Sequence, residues 1–219
     1  RRAELVKGLE RNPRYVAVML VKSILQGRSL ADQLPLQVEP LAEGERRFVQ
    51  HLIFGTLRHY DELNDRVGQL LKKPLKRTEI EVKLALILAA YELTEMATAE
   101  HALVNNWVNL IKGLKKPWAV GLTNAILRRV QREGLPQART VAGRYNLPQW
   151  IVDKVRSNWG EAALESISTF YRLHPEMILR VNQQQMSREE YLQRLASEGI
   201  MATAHKFIAT AIVLETPTA

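Results

Sequence analysis

The sequence predicts a mostly α protein: an all-α helical bundle over residues 1–139, followed by a small α+β domain over 140–219 with the order ααβαββ. Three observations carry that reading. Apolar residues recur at helical spacing through the first part, with no alternating run. From about residue 176 onward apolar and polar residues alternate over short stretches, as in half-buried strands. Charge divides the chain in the same place. Residues 1–139 hold 23 Lys/Arg against 15 Asp/Glu, a net of +8, whereas residues 140–219 hold 8 of each.

Pro13 suits the first turn of a helix, where its missing N–H costs nothing; Val16, Leu20 and Ile24 then share a face and Gly27 closes it. Ser29 to Leu34 reads as a short turn or helix stopped by Pro35. From Glu43 to Tyr60, Phe48, Val49, Leu52, Ile53 and Leu57 keep helical spacing. Leu63, Val67, Leu70 and Leu71 repeat it until Pro74 interrupts. Thr78 and Glu81 have the spacing of a capping box. The run Leu84 to Leu93 is apolar on every side except at Glu92, so this helix belongs at the centre of the bundle. Glu100 to Leu114 carries Leu103, Trp107, Leu110 and Ile111. Pro117 opens a further helix with Leu122, Ile126 and Val130 aligned, ending near Gly134.

A linker around 135–146 follows. Pro148 opens a helix stopped at Gly160, and Ala163, Leu164, Ile167 and Phe170 form another, stopped before Pro175. Met177, Leu179 and Val181 alternate with Ile178, Arg180 and Asn182, which is a strand pattern. Ser187 with Glu190 makes a second capping box for a helix ending at Gly199, and 200–205 and 211–215 read as strands.

Composition excludes several chemistries. The 219 residues include no cysteine, so no disulfide, thiolate zinc site or cysteine nucleophile can form. The closest two of the eleven glycines, Gly113 and Gly121, are eight residues apart, which excludes G-x-G-x-x-G and P-loop cradles. His51 and His59 share a helix but lie about 12 Å apart along it, too far to hold one zinc ion. No run of about 18 apolar residues predicts a membrane span. The chain begins Arg1-Arg2 with no signal-peptide pattern and ends in mid-phrase after a strand-like run; it reads as a cytoplasmic fragment trimmed at both ends. No acid–base constellation stands out, so neither a catalytic nor a metal-binding residue is expected.

Basic clusters are the remaining candidate sites, and phosphate is their natural ligand. Arg1, Arg2, Lys7, Arg11 and Arg14 form an N-terminal arm. Lys72, Lys73, Lys76 and Arg77 surround Pro74 in a loop between helices. Lys112, Lys115 and Lys116 end a helix before Pro117, where they would also complement the helix dipole. Arg128, Arg129 and Arg132 fall within two turns of one helix. Trp107, Trp118, Trp150 and Trp159 occupy helical apolar positions or helix starts, which favours core packing over base stacking.

Several phrases carry a family resemblance. Phe54-Gly55-Thr56-Leu57-Arg58, Ala90-Tyr91-Glu92-Leu93, His101-Ala102-Leu103-Val104-Asn105 and Gly121-Leu122-Thr123-Asn124-Ala125-Ile126-Leu127-Arg128 resemble, in order and spacing, the phrases of NusB-like helical domains. Asn146-Leu147-Pro148-Gln149-Trp150, Trp159-Gly160, His174-Pro175 and Leu179-Arg180-Val181-Asn182 resemble the segment preceding the catalytic domain in bacterial RNA cytosine-C5 methyltransferases. The combination is similar to the Sun/Fmu family of ribosomal RNA methyltransferases, and the resemblance covers nearly the whole chain.

That resemblance implies a parent enzyme that uses S-adenosylmethionine and two catalytic cysteines to methylate cytosine C5 of 16S ribosomal RNA. It implies small-subunit ribosomal RNA and a C-terminal methyltransferase domain as partners. Neither the cofactor loop nor either cysteine has a counterpart in these residues, so the expectation is a non-catalytic RNA-positioning part. A stand-alone NusB-like antitermination or protein-docking module is the other reading.

Overall fold

The computed structural model describes residues 8–96, 100–173 and 175–215. The chain separates into two compact units, residues 1–172 and residues 173–219.

The first unit is helical. α1 (Pro13–Leu25) is capped by Asn12, whose side chain accepts hydrogen bonds from the backbone N–H groups of Arg14 and Tyr15. α2 (Leu30–Val38) runs through Pro35 rather than stopping before it. Pro35 removes the N–H that would bond the carbonyl of Ala31, but both residues are exposed, so water can replace the lost bond. α3 (Glu43–Arg58) and α4 (Tyr60–Gly68) follow. A single 3₁₀ turn (Arg77–Glu79) leads into α5 (Ile80–Glu95), so the box expected from Thr78 and Glu81 does not form. Glu81 instead meets Lys22 at 2.5 Å. α6 (Glu100–Gly113) and α7 (Pro117–Glu133) complete the bundle.

α5 is buried almost all round, from Val82 to Glu92, and packs against α1, α3, α4, α6 and α7. One core runs from Val16 to Leu135 around it.

Packing continues past residue 139. The segment predicted as a linker is strapped to α4. Arg66 donates to the carbonyls of Pro136 (2.8 Å) and Leu135 (3.2 Å), and Gln69 to that of Gln137 (2.9 Å). One oxygen of Asp65 accepts from the N–H groups of Arg139 (2.6 Å) and Thr140 (3.0 Å). α8 (Val141–Tyr145) ends at Asn146, which adopts the left-handed conformation at φ 53°. Its buried side chain donates to the Arg58 carbonyl at the end of α3 and accepts from the Glu62 N–H at the start of α4. α9 (Gln149–Arg172) bends at Gly160, whose φ of 80° is open to glycine. These bonds place 140–172 with the helices, so the compact units divide at 172, whereas charge and texture divide the sequence at 139.

The second unit is a three-stranded antiparallel sheet with one helix. β1 (Met177–Arg180), α10 (Arg188–Ser197), β2 (Ala202–Ala204) and β3 (Ala211–Leu214) give the sheet order β1-β3-β2. Ile178 stands opposite Val213, and Thr203 opposite Val213 on the other side. Ser187 caps α10 and Glu190 returns the bond, as the spacing predicts. Val181, Leu195, Ile212 and Leu214 form its core. With the bundle before it, this is the mostly α fold followed by a small α+β part.

Candidate nucleic-acid interface

The basic clusters separate into residues held inside the bundle and residues left on its surface. Arg14 belongs to the interior and is withdrawn from the anion-binding set. Its guanidinium donates through Nε (3.0 Å) and Nη2 (2.5 Å) to Glu92, whose side chain is 0% exposed against 12% for Arg14. Glu92 also accepts from Trp107 Nε1 at 2.7 Å, and Arg14 lies 4.9 Å above the Phe48 ring. A lone buried carboxylate in the apolar stretch of α5 requires such partners, because burying a charge unpaired costs several kcal/mol. Lys116 is also engaged, meeting Glu79 at 2.7 Å.

Lys72, Lys73, Lys76, Arg77, Lys112, Lys115 and Arg11 are exposed. Arg1, Arg2 and Lys7, like His174 of the His-Pro phrase, lie outside the described residues. Two contacts draw the separate clusters together. Leu9, next to the arm, packs so closely on Gly113 that an added Cβ there would meet it at 2.9 Å. The Lys116–Glu79 ion pair holds the α6–α7 loop against the 3₁₀ turn that begins at Arg77. Leu9, the α6–α7 loop and the α4–α5 loop thus adjoin one another.

A groove of about 530 Å³ runs beside the third of these. Leu70, Leu71, Leu75, Leu122, Ala125 and Ile126 form its apolar lining, with Lys72, Lys73 and Arg129 at its polar margin. Arg129 also meets Glu133 at 2.8 Å. Sequence places Arg129 in a basic run but carries no sign that it joins the 72–77 loop, which requires the fold to bring the segment after α4 beside α7.

The tryptophans correct the sequence reading. Only Trp107 is buried; Trp118, Trp150 and Trp159 are 49%, 71% and 67% exposed. Helical spacing locates a face but does not say that the face is covered. Among the described residues the left-handed glycines Gly27, Gly134, Gly160 and Gly199 stand singly at helix ends or a bend, and none lines a described cavity.

Comparison with known proteins gives this arrangement a family. The model of the NusB family matches residues 11–132. The chain belongs to the NusB family. The Methyltr_RsmF/B-like, ferredoxin-like domain matches residues 147–219. A protein from Pseudomonas putida called Ribosomal RNA small subunit methyltransferase B is 38% identical over 208 residues, which is 93% of this chain and 48% of that protein. The protein of the same name from Pseudomonas syringae pv. tomato is 35% identical over 94% of this chain and 47% of its own length. The chain therefore spans about half the length of the curated relatives it matches. The crystal structure of PH0851 shares the fold, with a TM-score of 0.58 at 14% identity, over 93% of this chain and 48% of that one.

The NusB phrases turn out to hold the bundle together. A Cβ on Gly55 would fall 1.9 Å from the Tyr91 hydroxyl, so α3 and α5 can touch only through a glycine here. Glu92 takes the Arg14 and Trp107 bonds, and Thr123, Ile126 and Leu127 of the last phrase are buried. Among the described residues no helix is long and apolar enough to cross a membrane.

Proposed function

We propose that this chain is the RNA-recognition part of an S-adenosylmethionine-dependent methyltransferase that modifies cytosine C5 in 16S ribosomal RNA. A NusB-family bundle followed by an RsmF/B-like ferredoxin-like domain, matched over 93% of its length by a protein named as a small-subunit ribosomal RNA methyltransferase, is the observation that carries this reading. Its parent's remaining half would bind the cofactor and perform the transfer, and would be the partner of the residues described above, in the cytoplasm. No catalytic step is assigned to a residue of this chain, which has no cysteine and no glycine cradle.

Arg11, Lys72, Lys73, Lys76, Arg77, Lys112 and Lys115 are the proposed phosphate contacts, with the undescribed Arg1, Arg2 and Lys7 extending the arm. Exposed lysine and arginine neutralise phosphates and release counterions, fixing the RNA's position without reading its bases. Binding of the chain to a small-subunit ribosomal RNA fragment, measured across a salt series, tests this. The logarithm of the binding constant should fall linearly with the logarithm of salt. Reversing Lys72, Lys73, Lys76 and Arg77 to glutamate should lower the slope by about one for each phosphate no longer neutralised. A slope near zero, or one unchanged by the reversal, would refute the assignment.

A further inference from the structure

A second cavity, of about 310 Å³, lies where α4, α5 and the start of α8 meet. Asp61, Asn64, Asp65, Gly68, Gln69, Lys83, Thr140 and Ala142 line it, so it is polar where the groove beside the 72–77 loop is apolar. Asp65 and Gln69 are occupied in holding the strap, but three other groups there have no partner among the described residues. Lys83 is half-buried on the largely apolar α5 and makes no hydrogen bond or ion pair. Asp61 likewise makes none with its carboxylate. Asn64 Oδ1 is buried and accepts no hydrogen bond. Burial alone raises the carboxyl pKa of Asp61 and lowers the ammonium pKa of Lys83; neither charge offsets the desolvation of the other.

We propose that this cavity takes a single unpaired RNA nucleobase carrying an exocyclic amino group near a ring acceptor, that is, adenine, guanine or cytosine. The amino group would donate to Asp61 and Asn64 Oδ1, and the Lys83 ammonium would donate to the base carbonyl of guanine or cytosine or to a ring nitrogen of adenine. Unpartnered acceptors and an unpartnered cation in one small cavity call for a ligand that is both donor and acceptor. Uracil lacks the amino group, so it would leave part of the acceptor set unsatisfied. The volume is that of a base with its sugar rather than of a folded helix, so the site would select while the basic loops grip. The assignment rests on the reading of the chain as an RNA binder.

Titration of the isotopically labelled chain with free guanosine, cytidine, uridine and adenosine, followed by amide NMR, tests it apart from the phosphate contacts. Guanosine, cytidine and adenosine should shift amides of 61–69, 83 and 140–142, and uridine should shift them at least tenfold more weakly. Lys83→Met and Asp61→Asn should each weaken the response about tenfold while leaving the spectrum elsewhere unchanged. Methionine keeps the length of the lysine stem without an ammonium to bury, so the fold is expected to persist. Equal response to all four nucleosides, response at other amides only, or no response would each overturn the proposal. Loss of salt-dependent RNA binding with nucleoside response intact would instead remove the phosphate assignment alone.

Discussion

Arg14→Met is the most discriminating perturbation of the bundle, because it asks whether a residue in a basic arm acts as a surface charge or as an internal strut. In the wild-type chain Glu92 is fully enclosed and accepts from Arg14 and Trp107. Methionine fills much of the guanidinium's space but leaves the carboxylate with the Trp107 bond alone. Removing one partner of a buried pair costs about 3–5 kcal/mol. Against a total of about 5–15 kcal/mol, that is a fifth or more of typical stability. With a urea slope of about 2–3 kcal/mol/M the midpoint should drop by about 1–2.5 M. Arg14→Met with Glu92→Leu removes both charges and should recover most of the loss, since apolar replacement of a whole pair is often neutral. Circular dichroism across a urea series on both variants measures this, and RNA binding of folded Arg14→Met should match that of wild type. A midpoint within about 0.3 M of wild type, or a double variant no better than the single, would refute the strut.

Gly55→Ala should destabilise by about 1–3 kcal/mol, because its Cβ would overlap Tyr91; thermal unfolding measures the loss. Gly121→Ala, in a helix with open space around the new methyl, should stabilise by about 0.5–1 kcal/mol in the same assay. Glu161 titrates at about 2 rather than 4.5, first because Arg156 donates to it and then because Tyr145 does. A depressed carboxylate pKa stabilises the folded state above pH 4.5, and that contribution fades as pH falls toward 2. Tyr145→Phe should therefore raise the Glu161 pKa in a carboxyl-carbon NMR titration and shrink the stability lost across that window. An unchanged titration would show that Arg156 alone sets it.

Much of this molecule was legible in the sequence because its signals are local. Prolines 13 and 117 open helices, Ser187 and Glu190 cap one, and the central helix announces itself by being apolar all round. What was not legible depends on which surfaces meet. The arm looked uniform, yet Arg14 turns inward because Glu92, 78 positions away, needs it. Trp150 and Trp159 have the spacing of core residues but lie on faces that no described element covers. The segment from 135 to 140 has linker composition, but its backbone groups are claimed one by one by Asp65, Arg66 and Gln69 of α4.

The same distinction bears on the site. Sequence can rank clusters by the number of charges, but only the structure shows which charges already have partners. Arg14 and Lys116 are spent on Glu92 and Glu79. By contrast Lys83, a single lysine in a largely apolar helix and inconspicuous in any charge count, faces a polar cavity with no partner among the described residues. An ion pair already satisfied inside the protein gains little from RNA, whereas an unsatisfied group gains what burial withheld from it. Partner availability, rather than charge density, is therefore the quantity that orders the candidates. On that scale the exposed 72–77 loop and the Lys83 cavity stand above Arg14 and Lys116.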